Sequence, residues 1–281
     1  MKPQAAPGTL VSTDELAQHL AEWRVFDCRH DLAKPELGEA QYRESHIPGA
    51  LFAHLDRDLS GRKTGANGRH PLPERGAFLA WLGQQGLRPE DQVVCYDQSG
   101  GTMAARLWWM LRSVGHEAVA VLDGGFAKWQ KEGRPLTKDV PRVAHAAYKV
   151  RRWNEAHVEA DFVEKHLREL LLVDARSPAR WRGEQEPIDP EAGHIPGAKN
   201  RFSSDNLAAD GTFKPRDALK KDFLAVLGGR KPAEVVHYCG SGVAACHNLL
   251  AMEHAGLPGG KLYAGSWSEW IADPRRPREK T

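Results

Sequence analysis

The chain reads as an α/β protein built from two tandem copies of one domain, each a mainly parallel sheet flanked by helices. Two observations predict this. Short β-branched runs alternate with helical stretches such as 103–113 and 244–254, the rhythm of a helix-covered parallel sheet. Four landmarks also occur twice in the same order, the signature of duplication. Length agrees, because 281 residues exceed what one ordinary core sustains.

Each copy opens on a helix start. Ser12-Thr13-Asp14-Glu15 precedes Leu16 and Leu20, and Asn154-Glu155 precedes Val158, Phe162 and Leu167. A short strand ending in an acid follows, Arg24 to Asp27 with Cys28 and Arg29, matched by Leu172 to Asp174 with Ala175 and Arg176. His46-Ile47-Pro48-Gly49-Ala50 then recurs unchanged as His194-Ile195-Pro196-Gly197-Ala198. The third landmark is a strand feeding a Gly-rich turn and a helix: Val93 to Asp97 with Gly100-Gly101, against Val235 to Cys239 with Gly240-Ser241-Gly242. The fourth is Val121 to Trp129 against Leu262 to Trp270. Domain boundaries follow at 1–135 and 151–281, with the Pro-containing stretch 136–150 as linker.

Composition narrows the function classes. No apolar run approaches the roughly 20 residues of a membrane span, and no apolar stretch follows Lys2 to make a secretory signal, so a cytoplasmic location is expected. A net charge of +2 without a basic, aromatic-laced stripe argues against nucleic acid. The tail with Arg275, Arg276, Arg278 and Lys280 is expected to be a solvated terminus. Four cysteines do not make a disulfide framework, and Cys28 and Cys95 fall in apolar runs that read as core strands.

Cys239 is different. It ends a predicted strand and precedes Gly240-Ser241-Gly242-Val243-Ala244, so the thiol is expected at the carboxyl edge of a parallel sheet and at a helix N-terminus. Two glycines let successive N–H groups converge on one anion, and convergent amides with the helix dipole favour the thiolate. Only this copy has the cysteine, because Asp97 stands at the same place in the other. A zinc site from His237, Cys239, Cys246 and His247 is disfavoured by spacing: 246 and 247 are successive helix positions, and no Cys-x-x-Cys exists. Phosphoryl transfer is disfavoured too, since Ala245 stands where an arginine would have to close a phosphate loop. His46 and His194, being present in both copies, are expected to be structural, as are the Asp27/Arg29 and Asp174/Arg176 pairs.

The paired His-Ile-Pro-Gly-Ala segments, the 239–243 loop and Gly265 to Trp270 resemble tandem-domain rhodaneses over nearly the whole chain, and the loop is most similar to the 3-mercaptopyruvate sulfurtransferase branch of that family. The resemblance implies that Cys239 carries sulfur as a persulfide between a small anionic donor, 3-mercaptopyruvate or thiosulfate, and a thiol or cyanide acceptor, without a cofactor or metal. It further implies a Ser241–His70–Asp56 relay for proton handling, Arg180 as the donor-carboxylate residue with Arg182 as helper, and a donor cradle at Gly240, Gly242, Val243 and Ala244. In two places the chain departs from the family pattern: Glu186 to Asp189 replaces a second arginine, and Ala244 a threonine. The alternatives are a thiosulfate-preferring rhodanese and a catalytically silent module that binds a partner or senses redox state.

Overall fold

The computed structural model describes residues 8–150, 152–154 and 156–281. The leader reading at the first seven residues and Glu155 of the second helix start lie outside them. Two compact units divide the chain: one comprises Met1–Leu59, Pro73–Glu155 and Asp210–Thr212, the other Ser60–Leu72, Ala156–Ala209 and Phe213–Thr281. These units cut the chain differently from the sequence boundaries: the linker 136–150 goes with the first unit, as do residues 210–212 of the second repeat. Residues 60–72 belong with the second unit although they lie in the first repeat.

In the first unit the strands are β1 (Leu10–Val11), β2 (Arg24–Asp27), β3 (Leu51–Phe52), β4 (Val93–Tyr96) and β5 (Val119–Leu122). They form one parallel sheet in the order β1-β5-β4-β2-β3. Helices α1 (Thr13–His19), α2 (Leu37–Glu44), α3 (Arg75–Gln84), α4 (Ala104–Ser113) and α5 (Gly125–Lys131) follow the strands in turn. The second unit repeats the plan. Its strands β6 (His157–Val158), β7 (Leu171–Asp174), β8 (Lys199–Asn200), β9 (Val235–Tyr238) and β10 (Lys261–Tyr263) pair in the order β6-β10-β9-β7-β8, all parallel. Its helices are α6 (Ala160–Lys165), α7 (Pro178–Arg182), α8 (Arg216–Leu227), α9 (Ala244–His254) and α10 (Ser266–Trp270). The unbroken apolar or mixed runs of β4 and β9 suit strands buried throughout, as a helix-covered parallel sheet demands.

Ser12 caps α1 as expected, accepting from the Glu15 N–H at 3.1 Å. The second copy differs. Asn154 precedes a strand, β6, and the helix begins only after Glu159, so Val158 is a strand residue. The apolar spacing was shared between a two-residue strand and a short helix, which periodicity alone cannot divide.

The shared pentapeptide and acid-Arg pairs form one buried network per unit. Arg29 forks onto Asp27 (Nη2–Oδ2 2.7 Å), Tyr96 donates its hydroxyl to Asp27 at 2.7 Å, and the Ile47 N–H donates to Tyr96 Oη at 3.3 Å. In the second unit Arg176 forks onto Asp174 (2.6 Å), and the Ile195 N–H donates to Tyr238 Oη at 3.2 Å. His46 stacks on Tyr42 and His194 on Trp181, each with Nδ1 at 2.7 Å from a backbone carbonyl. The repeated residues therefore pin each sheet to its loops, the structural part expected of them.

The tails beyond the last helix of each unit also correspond. Trp129 donates its indole N–H to the Pro135 carbonyl and Trp270 to that of Pro277, and short bridges join His46 to Thr137 and His194 to Glu279. The basic C-terminus is accordingly not a free solvated end. Arg276 lies over Trp270 and reaches Asp161 at 3.0 Å, while Arg278 meets Glu191 at 3.0 Å. Composition cannot reveal this, because the partners come from α6 and the 183–193 loop. Residues 136–150 likewise run along the first unit, with the Ala146 N–H on Gly83 O and Tyr148 Oη 2.8 Å from His116.

Candidate active site

The loop after β9 turns its own backbone onto the Cys239 sulfur. The N–H groups of Ser241 and Gly242 point at Sγ from 3.4 and 3.1 Å, and the next residues enter α9. Gly242 has φ +76°, and a Cβ there would stand 2.3 Å from the Ala264 carbonyl oxygen, so no other residue fits the turn. Two amides at a helix N-terminus thus turn their positive ends onto this sulfur. Cys28 shows the contrast: burial, with Cys95 beside it, pushes its thiol well above the ordinary range and leaves it inert.

The segment 264–268 clamps this loop from behind. The Cys239 N–H donates to Ser266 Oγ at 3.1 Å, the Trp267 N–H to the Cys239 carbonyl at 3.0 Å, and the Ser268 N–H to the Gly240 carbonyl at 3.0 Å. Ser266 has φ +56° and is the one non-glycine residue with positive φ among the described residues. Gly125 holds the matching place in the first unit with the same φ. The second copy thus tolerates a strained backbone to place one hydroxyl under the cysteine.

Asp97 shows what the corresponding loop of the first unit binds. Its Oδ1 accepts the N–H groups of Ser99 and Gly101, and its Oδ2 those of Met103 and Ala104, all between 2.6 and 2.9 Å. A strand-end side chain with four backbone amides converging on its anion is a nest already occupied. In the second unit the nest faces sulfur instead.

His70 and Ser241 share a hydrogen bond of 2.7 Å between Nδ1 and Oγ, and both are buried. The segment that carries His70 is held by the Arg69 N–H on Ser268 Oγ at 3.1 Å. Arg180, on α7, forks onto Glu186 (Nη2–Oε1 2.6 Å) and reaches Asp189 at 3.0 Å. Arg182 instead pairs with Glu184 at the surface. Two residues to which the sequence reading gave no site role complete this group: Arg69, ion-paired with Asp189, and Asp189 itself, which is 2% exposed at its side chain. Burial pulls the Arg69 guanidinium below its usual range; the nearby Cys239 sulfur opposes that and Arg180 adds to it. Arg69 directly precedes His70 in sequence, which was the available signal.

Asp56 belongs to the first unit. There its carboxylate is 3.7 Å from His30 Nε2 and its N–H donates to His54 Nδ1 at 3.1 Å. His30, His54 and Asp56 form the one close trio of metal-ligating side chains among the described residues. His54 Nδ1 already accepts the N–H groups of Asp56 and Arg57, so its lone pair is taken. The residues weighed for zinc are engaged elsewhere: His237 meets Met252 Sδ at 3.0 Å, Cys246 donates to the Gly242 carbonyl, and His247 faces Asn206.

A parallel sheet whose strand end delivers a thiol into a ring of amides, in two copies of which one has lost the thiol, defines a cysteine-loop transferase of the rhodanese type. The rhodanese-like domain model matches residues 12–132 and 159–273, and the chain belongs to the rhodanese family of sulfurtransferases. It is 47% identical over 274 residues to a probable 3-mercaptopyruvate sulfurtransferase of Pseudomonas aeruginosa, covering 95% of this chain and 96% of that one. To the thiosulfate sulfurtransferase of Cricetulus griseus it is 33% identical over 278 residues, covering 93% and 91%. The solved 3-mercaptopyruvate sulfurtransferase of Leishmania major superposes with a TM-score of 0.83 at 32% identity, covering 97% of this chain and 76% of that one. No helix among the described residues is long and apolar enough to cross a membrane.

Proposed function

We propose that this sulfurtransferase takes sulfane sulfur from 3-mercaptopyruvate, with thiosulfate as the lesser donor, and passes it through a persulfide on Cys239 to a thiol or cyanide. The amides at Cys239 Sγ carry this reading, together with their counterpart around Asp97. A persulfide places its outer sulfur one atom beyond Sγ, as a carboxylate oxygen of Asp97 lies one atom beyond Cγ. The outer sulfur of a loaded enzyme would meet the remaining amides of the turn into α9.

In the first half-reaction the Cys239 thiolate attacks the donor sulfur. A sulfur–sulfur bond forms, the carbon–sulfur bond breaks, and its electron pair passes into the enolate of pyruvate. The proton shed by the donor thiol is the one the enolate carbon gains, so no outside acid is consumed. Ser241 and His70, already hydrogen-bonded, are the pair to carry it. Val243 and Ala244 offer the first helical amides to the donor sulfur, with Gly240 beneath the Arg69 and Arg180 guanidiniums and Gly242 making the turn against Ala264. In the second half-reaction cyanide or a thiol takes the outer sulfur and the Cys239 thiolate returns. Four free thiols suit a cytoplasmic, reducing location.

The test is thiocyanate formation from cyanide with each donor, plus the intact mass after donor exposure. The expected result is product with both donors and a protein heavier by one sulfur atom, both abolished by Cys239→Ser. A Cys239→Ser protein as active as the parent, or no adduct at all, overturns the assignment; the latter favours a silent binding module.

A further inference from the structure

The sheet of the second unit has two ends with different surfaces. Cys239 leaves the carboxyl end, directly after β9. At the amino end, where β7 and β8 begin, lies an open groove of about 690 Å³, lined by the turn into β7, the Pro196-Gly197 turn into β8 and the end of α8. Leu167, Leu170, Leu171 and Leu227 give it an apolar lining. Arg168, Lys199 and Arg230, all exposed, stand around them, and no acid lines the groove. Lys199 Nζ donates to the Val226 carbonyl at 2.8 Å and Arg230 Nη1 to the Glu169 carbonyl, so both heads are anchored to backbone with further N–H donors to spare. None of the three cations pairs with a carboxylate among the described residues. Glu279 reaches the Gly197 end, where its carboxylate accepts the Gly197 N–H at 2.9 Å and stands 3.6 Å from His194 Nε2.

The first unit builds the corresponding edge differently. The strand registers equate Arg24 with Leu171 and Leu51 with Lys199. Trp23, in the place of Leu170, stacks on His19; Arg24 is 3.6 Å from the Asp91 carboxylate; and Leu51 is buried. A ring stack, a neutralised arginine and a buried leucine therefore suffice for the fold, which does not require unmatched cations around exposed leucines here.

We propose that this groove docks an acidic peptide segment of a partner protein, with an apolar side chain seated on the leucines and flanking carboxylates on Arg168, Lys199 and Arg230. Three cations unmatched by lining acids supply the charge complementarity, and the leucines supply the desolvated area without which surface ion pairs contribute little. An open groove suits an extended chain, whereas a small ligand calls for enclosure, and recessed leucines cannot reach into a lipid surface. The groove and Cys239 lie at opposite ends of the same strands, so a docked partner leaves the thiol loop uncovered, and docking is separable from sulfur transfer.

Fluorescence anisotropy of the full chain with a labelled peptide of alternating glutamate and leucine tests the docking site. Saturable binding is expected in the micromolar range, weakening about fivefold or more between about 50 and about 300 mM sodium chloride. Peptides of glutamate with serine, and of lysine with leucine, should each bind about tenfold more weakly or worse. Arg168→Glu, at an exposed side chain, should weaken binding about threefold or more, and Arg168→Glu/Arg230→Glu about tenfold or more. Arg168→Gln should give a smaller loss in the same direction, and melting temperatures within about 3 °C of the parent identify the variants that fold. Cys239→Ser should bind the peptide as the parent does, so the docking site stands or falls apart from the proposed chemistry. No saturable binding, a serine peptide bound as tightly as the leucine one, or folded charge-reversed variants that bind unchanged overturn the proposal. Capture of the chain on phosphatidylglycerol vesicles, abolished by Arg168→Glu and without peptide binding, would give the groove to a lipid surface and overturn it as well.

Discussion

At the level of single residues, Asp97 and Cys239 are the same position put to two uses. Asp97 satisfies four backbone amides of its loop, three of them buried. Asp97→Ala leaves them without a partner, so chemical denaturation should show a loss of about 2–4 kcal/mol, with Asp97→Asn retaining part of it. Cys239 was legible in sequence because its counterpart is a different residue on the same scaffold. Ser241 and His70 were legible through resemblance, and the two share a hydrogen bond. Arg69 and Asp189 were not legible, since they are 120 positions apart and their meeting is a tertiary fact. The acids at 186 and 189 had the look of a lost arginine; in the structure they hold Arg180 and Arg69 in place.

At the level of elements, the clamp behind the cysteine loop makes a graded prediction. Ser266→Ala keeps the left-handed backbone but removes the acceptor of the buried Cys239 N–H, at a cost of about 1–3 kcal/mol. Ser266→Gly removes the same acceptor but relieves about 1 kcal/mol of backbone strain. Urea unfolding should therefore rank the wild type first, the glycine variant second and the alanine variant last. The long strands and helices of each repeat were legible because four or more residues in one pattern outweigh chance. The two-residue strands β1, β3, β6 and β8 were not, because their pairing partners define them. The docked C-terminal tail did carry a signal in Trp129 with Pro135 and Trp270 with Pro277, a fifth shared landmark that charge content obscured.

For the molecule as a whole, stability should fall on acidification through a buried base. Burial, reinforced by the charge of Arg201, drops His237 to about 3 from an ordinary 6.5. The folded state therefore excludes a proton that the unfolded chain binds between those values. The contribution is fully present above pH 6.5 and is lost as pH falls towards about 3, with a slope of up to about 1.4 kcal/mol per pH unit. Denaturation free energies measured between pH 5 and 8 should show this limb, and His237→Gln should flatten it. The duplicated architecture was readable because each landmark is a network in the structure: Asp27, Arg29, Tyr96 and Ile47 reappear as Asp174, Arg176, Tyr238 and Ile195.

The thirteen-residue span 60–72 means that inheritance and architecture do not share a border. A gene split between codons 150 and 151 would give a downstream product with a nucleophile but without His70 and Arg69. The ancestral doubling therefore did more than add a spare copy. Because the upstream copy supplies this span, neither half alone holds the Ser241–His70 and Arg69–Asp189 pairs, which ties the half that carries Asp97 to the half that carries Cys239.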